Sequence, residues 1–213
     1  MPYTLFYSPS TASFVIHWLL IHLGVPFETV LVDFEKGAQK GADYLALNPA
    51  GRVPTLMVDG KPYSECTALT MLLAERHPDA YLSPAPTAPE RANYLMWMVL
   101  LANGLLPPFR DWFYADRDSG ALDPQALKEF VRPRIEAMFN RLDAQLNDGR
   151  PYLIGAKLTA VDFLATMLMR WSRNMPKPAT TWTFIAPYVQ RMRALDSFLE
   201  VNRREGLVDW LNP

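Results

Sequence analysis

Five hydroxyl side chains crowd one short stretch near the start of the chain, Tyr7, Ser8, Ser10, Thr11 and Ser13. The long apolar run that follows, closed by Gly24, reads as a buried helix, so the hydroxyls fall around its N-terminus. A hydroxyl that donates to an anion contributes about 1.5–3 kcal/mol, and a helix N-terminus up to about 2 kcal/mol. The stretch is therefore equipped to hold a negative charge. Glu65 and Cys66 occupy a second predicted helix N-terminus, where free amides favour a carboxylate ligand. Other chemistries are poorly supplied. His17, His22 and His77 lack zinc-ligand spacing, so no metal is expected. Cys66 is the only cysteine, which excludes an intramolecular disulfide and suits a reducing compartment.

The elements that must position these groups follow from periodicity. Tyr3 to Tyr7 alternates as a strand, Ala12 to Leu23 reads as a helix, and Phe27 to Val32 as a second strand. Gln39 to Leu47 reads as a short helix, and Asn48-Pro-Ala-Gly51 as a turn. Thr55 to Val58 and Lys61 to Ser64 form a hairpin about Asp59-Gly60, and a helix runs from about Glu65 to His77. The order is βαβ, α, ββ, α. Four prolines from Pro78 to Pro89 oppose both helix and strand, so residues 79–88 are read as a linker between a 1–78 domain and an 89–213 domain. Beyond it the pattern is helical. One helix spans Pro89 to about Phe113 with Thr87 as a cap, and another Pro124 to Leu146 after Asp123. Thr159-Ala-Val-Asp162 forms a capping box, worth about 1 kcal/mol, that opens the helix Phe163 to Trp171. Further helices lie near Phe184 to Leu195 and Ser197 to Arg204. The fold class is an α/β N-terminal domain followed by an all-α C-terminal domain.

At 213 residues, half of them hydrophobic and a fifth charged, the chain has the balance of a folded protein. A net charge of −1 gives no field for a polyanion, which argues against nucleic acid and anionic membrane as partners and for a small molecule. No apolar run approaches the ~20 residues of a membrane span, so a cytoplasmic location is expected.

Taken together, the motifs resemble those of glutathione transferases. Leu5-Phe-Tyr-Ser-Pro-Ser-Thr-Ala-Ser13 is similar to the family's first strand and catalytic loop, and Asn48-Pro-Ala-Gly-Arg-Val-Pro-Thr-Leu56 to its glutathione-backbone segment. Ser64-Glu-Cys-Thr-Ala-Leu69 is similar to its γ-glutamyl site, and Thr159 to Asp162 to its C-terminal capping motif. Spacing through the first helix and the Arg170-Trp171 pair look most like the bacterial beta class. The resemblance implies a thioredoxin-like N-terminal domain, glutathione as co-substrate, a homodimer, and conjugation of the glutathione thiol to small hydrophobic electrophiles, a detoxification chemistry. It makes Pro54 the family's cis-proline, with the Val53 backbone pairing the cysteinyl part of glutathione. Glu65 takes the ligand's ammonium, Cys66 its α-carboxylate, and Arg52 a glutathione carboxylate. Phe109, Trp112, Phe113, Met167 and Trp171 match the substrate-facing region, although such residues at helical spacing equally suit a helix core.

Glutathione chemistry needs a thiolate, and lowering a thiol pKa by two units from about 8.5 takes about 2.7 kcal/mol, which one hydroxyl at a helix start supplies. Counted back from Gly24, Ser10 matches the activating serine of zeta- and tau-like classes, while Thr11, Ser13 and Tyr7 stay in contention. Ala12 falls where the beta class carries its catalytic cysteine and Leu106 where it carries a histidine, so mixed-disulfide chemistry is not expected. The alternative function is a glutathione-binding family member without transferase activity, acting as a binding or interaction module.

Overall fold

A computed structural model describes residues 3–118, 120 and 123–211. By contact the chain divides into two compact units, residues up to Ser83 with those from Arg193 onward, and Pro84–Met192.

The first unit holds four strands, β1 (Tyr3–Tyr7), β2 (Phe27–Leu31), β3 (Thr55–Val58) and β4 (Lys61–Ser64). They form one sheet in the order β2-β1-β3-β4, with β1 parallel to β2 and antiparallel to β3. Helices α1 (Phe14–His22), α2 (Ala42–Leu47) and α3 (Cys66–Arg76) alternate with them. The sheet and helices are those expected from the sequence, with two local differences. Helix α1 starts at Phe14 rather than Ala12, because residues 8–13 form a turn in which the Thr11 carbonyl accepts from the Phe14 amide at 3.0 Å. The expected Gln39–Leu47 helix is split into a 3-10 turn, Ala38–Lys40, and α2, because Gly41 between them is extended at ψ 146°. Residues Phe14 to Leu20 of α1 are all buried, as an apolar surface on every side requires.

The second unit is helical among its described residues: α4 (Arg91–Gly104), α5 (Leu106–Phe113), α6 (Ala115–Asp118), α7 (Pro124–Leu146), α8 (Ala160–Trp171) and most of α9 (Ile185–Arg193). The helix expected over Pro89 to Phe113 is two helices. Pro107 and Pro108 lack the amides that would continue α4, and they sit instead in the first turn of α5, where no such bond is needed. The residue before α4 is Glu90, so Thr87 is not its cap. Asp123 does cap α7, its side chain accepting from the Gln125 amide at 3.1 Å.

Helix α8 is buried from Ala160 to Arg170, and its capping box is closed between Thr159 and Asp162. The Asp162 carboxylate accepts four hydrogen bonds, from the Leu153 amide (2.8 Å), the Thr159 amide (2.8 Å) and hydroxyl (3.0 Å), and the Tyr188 hydroxyl (3.0 Å). Burial nevertheless pushes its carboxyl up to about 6.

Helix α10 (Asp196–Glu205) packs with the first unit, although the sequence reading grouped residues 89–213 together. Phe198 lies edge-on to Trp18 (5.0 Å) and Phe14 (6.0 Å), covering an apolar side of α1 that the sheet and α3 leave open. Ser197 Oγ accepts from Trp18 Nε1 at 2.9 Å and also lies within hydrogen-bond distance of His22 Nδ1, at 3.0 Å. Among the described residues no helix is long and apolar enough to cross a membrane.

Candidate functional site

The sheet register brings the separated sequence motifs to one end of the first unit. Phe6 pairs with Thr55, and Thr55 with Ser64. Carried one residue past these ladders, the same registers set Tyr7 opposite Pro54 and Pro54 opposite Glu65. The hydroxyl loop after β1, the Val53-Pro54 segment before β3 and the start of α3 after β4 therefore leave the same end of the sheet.

The loop is a closed network. Ser13 is fully buried, and its Oγ accepts from the Ser8 amide at 3.2 Å. The Ser8 carbonyl lies 2.7 Å from Thr11 Oγ1 and 3.0 Å from Ser13 Oγ, and these two hydroxyls are 2.8 Å apart. Two hydroxyl protons serve three contacts, so both are engaged within the loop. Ser10 sits at the tip in the left-handed region, φ 62°, and its amide donates to Glu205 Oε2 at 2.9 Å. Tyr7 is partly buried beside the His17 ring, 5.3 Å between centroids; desolvation, with the Glu205 charge second, raises its pKa.

The second segment is held from within. Asn48 Nδ2 donates to the Arg52 carbonyl (2.8 Å) and Thr55 Oγ1 (3.1 Å), while its Oδ1 accepts from the Ala50 amide (3.1 Å). The Tyr44 hydroxyl also donates to the Arg52 carbonyl, at 2.6 Å. Gly51 is left-handed at φ 58°, and a Cβ there would lie 2.9 Å from the Gln39 carbonyl, so glycine alone lets the turn approach that backbone. The Val53-Pro54 bond is cis, both residues are buried, and the Arg52 side chain is exposed. Glu65 precedes α3 with φ 71° and an exposed side chain. Cys66, the first residue of α3, is buried, and desolvation pushes its thiol up to about 11. A helix start favours a thiolate, and burial of Cys66 opposes it.

In the second unit, Phe109 and Met167 are core residues, 0% and 1% exposed. Phe109 stacks on Phe113 (6.0 Å, 16° between planes), and both meet Trp171 edge-on at 5.8 and 5.9 Å. Phe113 is 48% exposed, and Trp112 and Trp171 are partly buried. Three of the five proposed substrate residues thus retain accessible surface.

Known families match in the same two halves. The glutathione S-transferase N-terminal domain matches residues 9–76, and the glutathione S-transferase C-terminal domain residues 105–200. Glutathione S-transferase GST-4.5 of Xanthomonas campestris pv. campestris is 30% identical over 207 residues, covering 95% of this chain and 98% of its own. The chain belongs to the glutathione S-transferase family. Among solved structures, a glutathione transferase homologue from Sulfitobacter with bound glutathione superposes with a TM-score of 0.82 at 25% identity, over 97% of this chain and 99% of that one. A beta class glutathione S-transferase of Sphingomonas chungbukensis gives 0.82 at 26%, over 96% and 100%.

Sequence reading missed Glu205. Nothing local marks a carboxylate 195 residues from the loop it holds, and only the docking of α10 on α1 brings them together.

Proposed function

We propose that this glutathione S-transferase family member binds glutathione at the motif-bearing end of the sheet and conjugates its thiol to small hydrophobic electrophiles. The observation that carries this is the register, which lines up the β1 loop, the cis Val53-Pro54 segment and Glu65. In this reading the Val53 backbone pairs the cysteinyl part of glutathione, Glu65 takes the ammonium, and the exposed Arg52 takes a carboxylate. The first amides of α3 at Cys66 take the α-carboxylate, since amides outside the helical ladder favour an anion. Ser10 donates to the thiolate. Thr11 and Ser13 serve the loop, because their protons are engaged within it. Tyr7 is disfavoured, since a phenol with a raised pKa is the weaker donor. Trp112, Phe113 and Trp171 offer the accessible aromatic surface for an apolar substrate.

Calorimetry with glutathione and a chromogenic aryl halide assay test the reading together. Ser10→Ala is expected to raise the pKa of bound glutathione by about one to two units and to lower turnover more at pH 7 than at pH 9. Ser13→Ala should instead lower the melting temperature, because it leaves the Ser8 amide without its buried acceptor, a loss of about 1–3 kcal/mol. Glutathione binding with no turnover of any aryl halide would favour the interaction-module function over the enzyme.

A further inference from the structure

We propose that Glu205 is a positioning residue for the catalytic loop. Its buried carboxylate, oriented by His17, holds the Ser10 amide and fixes where the loop hydroxyl meets the thiol of glutathione. The proposal rests on the reading that this loop stabilises the thiolate, and it makes the segment from Arg193 onward part of the site.

Among the described residues, each oxygen of Glu205 has one hydrogen-bond partner. Oε2 accepts from the Ser10 amide at 2.9 Å and Oε1 lies 2.9 Å from His17 Nδ1, with the Glu205 side chain fully buried. A carboxylate only accepts, so Nδ1 carries the proton. The other imidazole nitrogen, Nε2, is buried with no hydrogen-bond partner among the described residues, and the rings of Tyr7 (5.3 Å) and Phe27 (5.6 Å) stand edge-on to the imidazole. An unpaired buried nitrogen and a buried carboxylate both cost stability, and apolar side chains of similar volume fill such a space with less penalty. The polar pair therefore has a use other than filling the core.

That use lies at Ser10. A serine at φ 62° occupies a region its Cβ disfavours, so the tip keeps its shape only if something holds it. A charge-assisted bond from a buried carboxylate to the tip's own amide is such a hold. The bond is placed one atom from the Ser10 Cα, so its loss lets the hydroxyl move while Thr11 and Ser13 still close the rest of the loop. The negative charge of Glu205 works against a nearby thiolate, just as it raises the pKa of Tyr7. The benefit is therefore one of position, and an uncharged acceptor of the same length preserves it.

The test uses the full chain with Glu205→Leu, Glu205→Asp and Glu205→Gln, reading thiolate absorbance of bound glutathione against pH. Cys66, held up near 11, stays silent below pH 9. Leu removes the acceptor and Asp shortens its reach. Both are expected to raise the thiol pKa, by about one unit for Leu, and to lower kcat about tenfold at pH 7 and less at pH 9, with glutathione Kd within about threefold. Gln keeps an acceptor of parental length and should stay within about 0.3 unit of the parent. If Leu and Asp lower the melting temperature while the thiol pKa stays parental, Glu205 is structural only and the proposal is overturned. Should Leu not fold, the Asp and Gln pair gives the same decision. If the parent itself leaves the thiol pKa unchanged, it is the proposed function that fails. Hydrogen exchange then reads the clasp separately: a Ser10 amide that exchanges as fast as an unprotected one overturns it.

Discussion

At the scale of single residues, environment and residue type point in different directions at Cys66. A thiol opening a helix is placed for activation by the dipole, yet Cys66 is buried and held up near 11. Below that pH the native thiol stays protonated, whereas an unfolded thiol ionises at about 8.5. At pH 8, iodoacetamide should therefore modify native Cys66 at least about 100-fold more slowly than the urea-unfolded chain. Comparable rates would mean that the side chain opens to solvent. The same comparison separates the loop serines. Ser10 and Ser13 are alike in sequence, but one stands at a left-handed tip and the other is sealed into the turn it closes.

At the scale of elements, the capping box of α8 shows how burial changes the value of a motif. The spacing Thr159 to Asp162 suggests an ordinary cap, but the carboxylate is fully buried and also serves Leu153 and Tyr188. Asp162→Ala would leave four donors unsatisfied, so the expected loss is about 3 kcal/mol or more, not the ~1 kcal/mol of an exposed cap. Its pKa carries a pH signature. With the native value raised to about 6, the folded state holds a proton that the unfolded chain has already lost above its ordinary value of 3.8. The linked stability is fully present below pH 3.8 and is lost as pH rises through about 6, at most about 3 kcal/mol. Relative to Asp162→Asn, the parent should lose up to this amount of stability in thermal melts as pH rises through about 6. A pH-independent difference would overturn the raised value and show that the carboxyl stays ionised throughout.

At the scale of the molecule, the first unit is completed by the end of the chain. Phe14 and Trp18, 1% and 0% exposed, lose Phe198 if the chain stops after Arg193. Uncovering two aromatic faces and Phe198's own site costs several kcal/mol at about 25 cal/mol per Å², a large share of a domain's stability. A chain truncated after Arg193 should therefore show a lower first-unit melting transition by calorimetry, and one that melts like the parent would mean α10 contributes little.

How much of this was legible in advance follows from where each signal resides. Strands, the hairpin, α3 and α7 are local in origin: alternation, Asp59-Gly60, and the Asp123-Pro124 start are written in adjacent residues. Val53-Pro54 and Glu65-Cys66 also stand out in adjacent residues, through the family resemblance that their motifs carry. The split of α4 from α5 was also present in Pro107-Pro108, but a continuous apolar pattern outweighed it. What only the tertiary structure decided depends on contacts between distant residues. The register that aligns Tyr7, Pro54 and Glu65, the burial that silences Cys66 and stresses Asp162, and the Glu205 clasp on Ser10 have no local trace. Periodicity reports which face of an element is apolar, whereas desolvation and hydrogen-bond partners depend on what packs against that face.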